Sequence, residues 1–366
     1  MYSFQETVPN QEVWTRIEDA YDSTCFQTRK WCIYLDRIGY HPYIIEVSQE
    51  DDIIAYFIGT KIGHGISAVC APMDGVGTYT QGLSSMRQLS EDERITIYQD
   101  LSKWLFSTHR ALFLQVDDWQ LSRTFSEWIP NEQFHQVTLD EKGIPYTVRP
   151  TLYVPVNTSE EEMWAGLHYK SCKYSINKAH KHGLYVREIT RFEDIADFTD
   201  IHYKQLVEVC ARKGTHPKPS QHRNRMQALC ESLFPDRVIM LEVIGKDENG
   251  KEQIMSSGIY CIDKGECSYW TGASYQRYQK YCPNELMVWE AMRLANLRMG
   301  GVMNFCGMHS YKLKFGTVYA YVPRLIFTKY TWLRKAKIYA QRIYFFFHTL
   351  MVNVTLRVKH NLQENK

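Results

Sequence analysis

The stretch Pro283-Asn-Glu-Leu-Met-Val-Trp-Glu290 opens a helix that continues to Met299, where Gly300-Gly301 ends it. Proline is favoured in the first turn of a helix and glycine just after its last turn, so both ends of this helix are marked. The next residues, Val302 to Phe305, predict a short strand. A helix that leads directly into a strand is typical of mixed α/β folds.

Strands and helices alternate on both sides of that helix. Ser90 and Ser159 each predict a helix start, because a glutamate stands three residues after each serine and completes a capping box. The alternation predicts an α/β fold with α+β mixed sheets. Short β-rich runs bounded by turn formers predict further strands at Pro42 to Val47, Ile53 to Gly59, Ala111 to Val116, Val238 to Ile244, Ile254 to Ile262, Cys267 to Thr271 and Val318 to Phe327.

The length of the chain, 366 residues, is too great for one ordinary core and suits two domains of about 150 residues each. A turn at Glu141-Lys-Gly-Ile-Pro145 precedes the extended segment Pro150 to Val156, so we place the boundary between the halves there. In the first half, Cys70 to Gly82 holds three glycines and a proline and predicts a loop.

Composition excludes several classes of protein. The net charge is only +2, so a global field that attracts nucleic acid is not expected. The ten cysteines form no CxxC pair and the thirteen histidines show no ligand spacing, so we predict no metal site and reduced thiols. Met1 to Asn10 lacks the basic and apolar regions of a signal peptide, and no apolar run reaches the ~18 residues that span a bilayer. We therefore expect a cytoplasmic protein.

One segment, His168-Tyr-Lys-Ser-Cys-Lys-Tyr-Ser-Ile-Asn-Lys-Ala-His-Lys-His-Gly183, is strongly basic and contains no acid. Lys170, Lys173, Asn177 and Lys181 recur every three or four residues, so they share one face of a helix. Such a face either holds phosphates or is an ordinary solvated surface, and the residues alone leave both interpretations open.

Three segments, taken in order, carry a family pattern. They are the basic segment, the run Ser268 to Tyr275 before Pro283, and the run Gly300 to Gly316. Together they resemble the FemAB-like aminoacyltransferases and their tandem relatives in the GNAT acetyltransferase superfamily, over residues 160 to 328. The matching positions are Lys173, Ile176, Lys178, Ala179 and Gly183; Arg212, Lys213 and Gly214; Tyr269, Gly272, Ala273 and Pro283; and Gly301, Phe305, Gly307, Tyr311, Lys312, Phe315 and Gly316.

The resemblance implies two tandem GNAT-like domains. We expect an N-terminal domain over 1–150 and a C-terminal domain over 151–316 that carries the family motifs. A strand over 317–330 would return to the first domain, and 331–366 would form a basic amphipathic tail. The implied function is an N-acyltransferase that transfers an acetyl or aminoacyl group to an amine of a cell-envelope glycan or peptidoglycan precursor.

The resemblance also implies roles for single residues. Lys312 would lie beside the reacting ester, where its ammonium group would stabilise the developing oxyanion. Arg212, Tyr269 and Lys173 would hold a phosphate of the acceptor, and Lys178 and Tyr311 complete the expected substrate-binding set.

Three departures from the family pattern bear on chemistry. Asn304 replaces the usual aspartate, so a carboxylate role at that position is lost. Gln276 to Tyr281, where a pyrophosphate loop would lie, contains no glycine, and the helical arm of some tRNA-dependent members is absent. The donor therefore stays open between acetyl-CoA or another acyl-CoA and aminoacyl-tRNA.

Two further features have competing interpretations. Asp117-Asp118 follows a strand and is a candidate base, although a strand-end turn is the more ordinary interpretation. In the tail, basic residues flank the apolar runs Ile343 to Phe347 and Leu350 to Val352, which fits a helix on an anionic membrane surface over residues 331–360. A helix docked over the sheet fits the same pattern. The membrane interpretation would bring the enzyme to the inner face of the cell membrane and a lipid-linked substrate.

Three functional hypotheses remain. The first is the N-acyltransferase, acting on a nucleotide- or lipid-linked envelope precursor with an acyl-CoA or a tRNA as donor. The second is a catalytically silent protein of the same fold that binds a precursor or carbohydrate. The third is RNA binding through residues 168–183, which predicts an affinity that falls steeply with salt.

Overall fold

The computed structural model describes residues 2–62, 67–70, 82–125, 138–139, 143, 145–307, 309–333, 335–336, 339–340, 343 and 347. Most of the predicted loop Cys70 to Gly82 and most of the predicted tail 331–366 lie outside these residues. The strands are β1 Tyr2–Thr7, β2 His41–Gln49, β3 Asp52–Ile62, β4 Ser67–Cys70, β5 Leu83–Ser85, β6 Ala111–Asp117, β7 Arg123–Phe125, β8 Thr138–Leu139, β9 Pro145–Pro155, β10 Tyr185–Glu188, β11 Val238–Lys246, β12 Glu252–Asp263, β13 Glu266–Ser274, β14 Val302–Asn304 and β15 Val318–Thr328. The helices are α1 Gln11–Asp19, α2 Arg29–Arg37, α3 Glu91–Thr108, α4 Glu160–Gly166, α5 Tyr174–Lys181, α6 Ile195–Arg212, α7 Arg223–Leu233 and α8 Pro283–Arg298.

The two halves of the chain repeat one topology. In the first half, β1 to β4 form an antiparallel meander, and α3 leads to β6, which pairs parallel to β4. In the second half, β10 to β13 form the same meander, and α8 leads to β14, which pairs parallel to β13. The mixed α/β prediction is therefore confirmed.

The halves exchange their last strands. β9 follows β6 along the chain but pairs with β14, whereas β15 follows β14 and pairs with β6. β9 and β15 also pair with each other from Val318 opposite Tyr153 to Leu325 opposite Tyr146. One continuous sheet results among the described residues, with the main order β1-β2-β3-β4-β6-β15-β9-β14-β13-β12-β11-β10. The division into domains at 150 and 316 stays a prediction.

Local signals set the ends of the helices as predicted. The Ser90 hydroxyl accepts the Glu93 N–H at 3.2 Å, and the Glu93 carboxylate accepts the Ser90 N–H at 2.8 Å. Ser159 and Glu162 form the same reciprocal pair at the start of α4. Among the described helices, none is long and apolar enough to cross a bilayer.

Helices cover both faces of the second-half sheet. The inner side of α8 packs with β11 to β14 in one core, whereas α6 and α7 pack on the opposite face. Helix α2 of the first half joins that second core, where the ring centroids of Trp31 and Trp270 lie 5.7 Å apart. The packing therefore fixes the strands β12 and β13 from two sides.

The end of α8 depends on two glycines with left-handed backbones. Gly300 has φ +66° and Gly301 has φ +85°. A Cβ added to Gly301 would lie 1.9 Å from the carbonyl oxygen of Gly265, whereas one added to Gly300 would meet nothing closer than 3.8 Å. The same Gly265 oxygen accepts the Val302 N–H at 2.7 Å, so this contact starts the pairing of β14 with β13.

We predict that Gly301→Ala lowers the free energy of unfolding by about 3 kcal/mol, because backbone strain and a clash with fixed backbone add together. Gly300→Ala is the matched control and should cost about 1 kcal/mol, since it introduces the strain without the clash. Urea unfolding of both variants measures the difference. Equal losses would contradict this account of the β13–β14 contact.

Candidate functional site

Lys312 lies in a short 3-10 helix, Ser310–Phe315, that follows β14. Its side chain is only 9% exposed, and its Nζ donates a hydrogen bond to the Phe305 carbonyl oxygen at 2.5 Å. The same Nζ lies 5.0 Å from the ring centroid of Tyr269. Burial lowers the pKa of Lys312 from 10.5 to about 8, with a small opposing effect of Cys306. In the described part of the chain, no carboxylate forms an ion pair with this ammonium group.

A pocket opens next to Lys312 because two parallel strands separate. β13 pairs with β14 only over Glu266–Ser268, and β14 then ends while β13 continues to Ser274. A Cβ on Gly272 would lie 2.0 Å from the Tyr269 hydroxyl, so glycine is required for the tyrosine ring to lie across the strand. The resulting cavity has a volume of about 410 Å³ and is lined by Val209, Arg212, Lys213, Tyr269, Gly272, Ala273, Ser274, Gln279, Asn284 and Tyr311.

The pocket is positively charged. Arg212 and Lys213 line it from the end of α6, and Asn284 lines it from the first turn of α8. The nearby His309 has its pKa lowered by burial and then by Lys312, Lys213 and Lys218. The buried hydroxyl of Tyr311 has no hydrogen-bond partner among the residues that the structure describes. Cations, a helix N-terminus and a free hydroxyl together suit a ligand with anionic oxygens, such as a phosphate.

The structure brings together four of the six predicted site residues. Arg212, Tyr269 and Tyr311 line the pocket, and Lys312 lies over the Tyr269 ring. The other two, Lys173 and Lys178, are not among the lining residues of this pocket. Lys173 ends a π-helical turn, Tyr169–Lys173, and donates to the Ala165 carbonyl at 3.0 Å. Lys178 lies on α5.

The basic segment is nevertheless fixed to the Lys312 turn. The His168 N–H donates to the Lys314 carbonyl oxygen at 2.9 Å. Helix α5 then begins at Tyr174 and turns Ile176 and Ala179 into the core, and Gly183 follows it with φ +71°. The predicted helix is therefore confirmed, although its first turn is wider than an α-helix.

The acidic pair Asp117-Asp118 has a structural role. Both side chains are fully buried. Asp117 accepts two hydrogen bonds from Arg324, each of 2.6 Å, and Asp118 accepts one from Arg94 at 2.8 Å. These ion pairs agree with the interpretation of the pair as a strand-end feature and leave neither carboxylate available as a base.

The segment Gln276–Tyr281 does not fit the pyrophosphate of coenzyme A. It is a 3-10 helix, and the Gln276 N–H donates to the Glu208 carboxylate at 2.6 Å. Arg277 stacks on the rings of Tyr275 and Tyr278, at 4.7 and 4.9 Å. The Glu208 carboxylate thus accepts the hydrogen bond of a backbone N–H that a phosphate would need, and its negative charge would repel the phosphate. Among the described residues, no group of three or more His, Cys, Asp or Glu side chains could hold a metal ion.

Sequence reasoning missed a buried polar network beside Lys312. Asn304, known from the sequence only as a departure, donates from Nδ2 to Glu266 at 2.9 Å and accepts the Thr151 hydroxyl at 2.8 Å. The three residues belong to three different strands, so no spacing along the chain could connect them. Glu208 and Lys213 were not singled out for a role either, since both stand in ordinary helical surroundings.

Comparison with known proteins agrees with this architecture. Residues 168–312 match the family model described as an acetyltransferase (GNAT) domain. The solved structure of FemX superposes with a TM-score of 0.63 at 12% identity, covering 87% of this chain and 96% of FemX. A tandem GNAT protein from the clavulanic acid biosynthesis pathway gives 0.49 at 7% identity, covering 90% and 98% of the two chains. L-PGS from Bacillus licheniformis gives 0.49 at 11% identity, covering 91% and 96%. No curated protein matches the sequence.

The superposition with FemX confirms the predicted fold, and the match of residues 168–312 to a GNAT acetyltransferase domain bears out the predicted acyltransferase. The matched segment contains the π-helical turn, α5 to α8, β10 to β14 and Lys312. The first half repeats its strand topology, as described above.

We predict that Lys312→Met raises the free energy of unfolding at pH 7, because burial of the ammonium group opposes folding there. The native pKa of about 8 lies below the value of 10.5 in the unfolded chain. Between these values the unfolded state binds the proton and the native state does not, so this group makes the wild type more stable as pH rises. The gap between the variant and the wild type should therefore shrink by about 3 kcal/mol from pH 8 to pH 10.5.

Urea unfolding of both proteins across this pH range measures the gap. Lys103→Met is the control, because Lys103 is 75% exposed and pairs with Asp100 on the surface. Its difference from the wild type should not change over the same range. A pH-independent gap for Lys312→Met would contradict the desolvation of Lys312.

Proposed function

We propose that this chain, whose residues 168–312 form an acetyltransferase (GNAT) domain, is an N-acyltransferase that transfers an acyl or aminoacyl group to an amine of a cell-envelope glycan or peptidoglycan precursor. The observation that carries the proposal is Lys312, a buried cation that pairs with no carboxylate of the described residues and lies beside a positively charged pocket.

Lys312 fits the electrostatic requirement of acyl transfer. When an amine attacks an ester or thioester carbonyl, negative charge develops on the carbonyl oxygen. An ammonium group held by the Phe305 carbonyl and flanked by the Tyr269 ring is already oriented and desolvated, so it stabilises that charge strongly. With a pKa of about 8, the group is mostly protonated at pH 7. Its contribution to the rate is lost as pH rises above that value.

The pocket defines the acceptor that we propose. Arg212 presents a planar guanidinium that binds phosphate oxygens in pairs, and Lys213 adds a second charge. The partnerless Tyr311 hydroxyl and the amide of Asn284 supply further hydrogen bonds. These groups suit a nucleotide- or lipid-linked precursor, whose phosphates would be held here while its amine reaches Lys312.

For the donor, the structure favours aminoacyl-tRNA over acetyl-CoA or another acyl-CoA. The segment Gln276–Tyr281 disfavours binding of a pyrophosphate, since the Glu208 carboxylate already accepts the hydrogen bond of its first backbone N–H. In contrast, the basic segment presents Lys170, Tyr174, Lys178 and Lys181 at intervals of four, four and three residues, opposite the buried Ile176 and Ala179.

This outward face of the basic segment has the chemistry of a surface that binds RNA. In the described part of the chain, Lys170, Lys178 and Lys181 form no ion pair, so their charges are free for phosphates. Tyr169 and Tyr174 are 75% and 64% exposed, and exposed aromatic rings stack on unpaired bases. The His168 N–H bond to the Lys314 carbonyl ties the start of this segment to the Lys312 turn, and we propose that a tRNA bound along this face places its acceptor end near Lys312.

We also propose that the tail contacts a membrane and that the enzyme works at the inner face of the cell membrane, in the cytoplasm. The described residues between 331 and 347 are helical, and Trp332, Tyr339, Ile343 and Phe347 are 63%, 62%, 56% and 57% exposed. In a helix, a spacing of seven, four and four residues would place these four side chains on one side. An exposed aromatic and apolar side flanked by basic residues is typical of helices that lie on anionic membranes.

A silent precursor-binding protein of the same fold is the second candidate. The observation that favours it is the closed segment Gln276–Tyr281, which removes the usual site of an acyl donor. The retained and desolvated Lys312 favours the enzyme, because an ammonium group already oriented and desolvated is what the oxyanion of acyl transfer requires.

Transfer assays with isotope-labelled acetyl-CoA and aminoacyl-tRNA, each with a nucleotide-linked precursor, separate the two candidates. We predict that Lys312→Met lowers kcat at least about 100-fold. Arg212→Ala should instead raise KM for the precursor about tenfold, because it removes an interaction made before and during the reaction. The wild-type rate should fall above a pH of about 8. Precursor binding without transfer from either donor would identify the silent protein.

We predict that replacing Lys170, Lys178 and Lys181 with glutamine weakens the binding of aminoacyl-tRNA and lowers its salt dependence. The slope of log affinity against log salt should fall by about 0.7 to 0.9 for each phosphate that the variant no longer neutralises. Fluorescence anisotropy with a mixture of labelled aminoacyl-tRNAs measures this slope. The matched control replaces Arg16, Arg29 and Lys103, three exposed cations of the first half, and removes the same charge. Equal slopes for both triple variants would contradict a specific RNA surface on the basic segment.

A further inference from the structure

The carboxylate of Glu266 has no part in the proposed reaction, yet it lies one side chain away from the turn that holds Lys312. Glu266 begins β13, and the register of the parallel pair places Ser268 opposite Asn304 of β14. Its Oε1 accepts two hydrogen bonds, one from the Ser268 hydroxyl at 2.6 Å and one from Asn304 Nδ2 at 2.9 Å.

Asn304 is fully buried, and both ends of its amide are occupied. Its Oδ1 accepts the Cys306 N–H at 2.9 Å and the Thr151 hydroxyl at 2.8 Å. A backbone N–H can only donate, so the oxygen of the amide must face Cys306 and the NH₂ group must face Glu266. The Cys306 N–H therefore fixes which way the amide points, and Glu266 holds its NH₂ group on the other side.

The turn that Asn304 holds is strained. Cys306 has φ +50°, a left-handed conformation that is strained for a residue with a side chain. Gly307 follows with φ +138°, and its N–H donates to the Thr151 hydroxyl oxygen at 3.3 Å. The residue before this turn is Phe305, whose carbonyl accepts the Lys312 ammonium group. The network thus ends at the anchor of Lys312.

We propose that Glu266 is a positioning residue for Lys312: it holds the NH₂ group of Asn304, which holds the Phe305–Gly307 turn that carries the anchoring carbonyl. This inference rests on the proposed role of Lys312. It also explains why position 304 is an asparagine here and not the aspartate of the family pattern. An aspartate there would place a second carboxylate against Glu266, and two carboxylates at hydrogen-bond distance cannot both ionise. An asparagine accepts the same backbone N–H and donates to the carboxylate.

The test uses two substitutions that remove the same charge. Glu266→Gln keeps an oxygen that accepts from Asn304 and Ser268, whereas Glu266→Ala leaves both donors unsatisfied. The titration midpoint of Lys312 is followed by competitive acetylation with acetic anhydride across pH and peptide mass spectrometry, which needs no knowledge of the substrate. The wild-type midpoint is expected at about 8.

We expect Glu266→Gln to keep that midpoint and Glu266→Ala to move it upward toward 10.5, because a loosened turn lets the ammonium group reach water. In transfer assays, kcat should fall about tenfold in Glu266→Ala and stay near the wild type in Glu266→Gln. Equal shifts in both variants would overturn the inference, since charge rather than hydrogen bonding would be responsible. No shift in either would overturn it as well.

Because Glu266→Ala could simply misfold, a second test exchanges the carboxylate of Glu266 and the amide of Asn304. Asn304→Asp alone should disturb the midpoint and kcat, and the double variant Glu266→Gln with Asn304→Asp should restore both, because the amide now donates to the carboxylate in the opposite direction. A double variant no better than Asn304→Asp would overturn the inference. A restored midpoint in a protein without any transfer activity would support the positioning role and reject the proposed function.

Discussion

The pairing of β9 with its neighbours β15 and β14 is the constraint on which the rest of the structure depends. It joins the first-half strand β6 to the second-half strand β14 through a continuous ladder of hydrogen bonds. β9 also supplies Thr151, whose hydroxyl contacts Asn304 and Gly307, and Leu152, whose carbonyl accepts the Phe305 N–H at 2.9 Å. The turn that anchors Lys312 is therefore built on a strand that lies, along the chain, at the boundary of the two halves.

Three features that lower the stability of the fold lie close together at the candidate site. Within the part of the chain that the structure describes, Lys312 is desolvated without a neutralising carboxylate and the Tyr311 hydroxyl lacks a hydrogen-bond partner, while Cys306 is held in a left-handed conformation. Each of these features opposes folding. Tyr311 lines the pocket with Arg212 and Tyr269, and Lys312 lies over the Tyr269 ring. Strain and unsatisfied polar groups gather where a ligand would relieve them, which is the pattern expected of a functional site.

The sequence predicted the elements of the fold well where a local signal was present. The capping boxes at Ser90 and Ser159 and the proline and glycines around α8 set helix ends that the structure confirms. It also singled out Arg212, Tyr269, Tyr311 and Lys312 from family motifs, and the structure places these four residues close together. It did not find Glu266, since the contact with Asn304 depends on the register between β13 and β14, which no local pattern records. Nor could it show that the Glu208 carboxylate accepts a hydrogen bond from the Gln276 N–H, since the two residues are 68 positions apart along the chain.

The structure of a complex with a nucleotide-linked precursor that bears a free amine would test the central claim most directly. The account predicts that the phosphates contact Arg212 and Lys213 and that the amine lies within reach of a carbonyl oxygen placed against Lys312 Nζ. A precursor bound instead in the separate cavity of about 500 Å³ between Glu188, Asp263 and Arg298, with Arg212 and Lys312 free of contact, would contradict it.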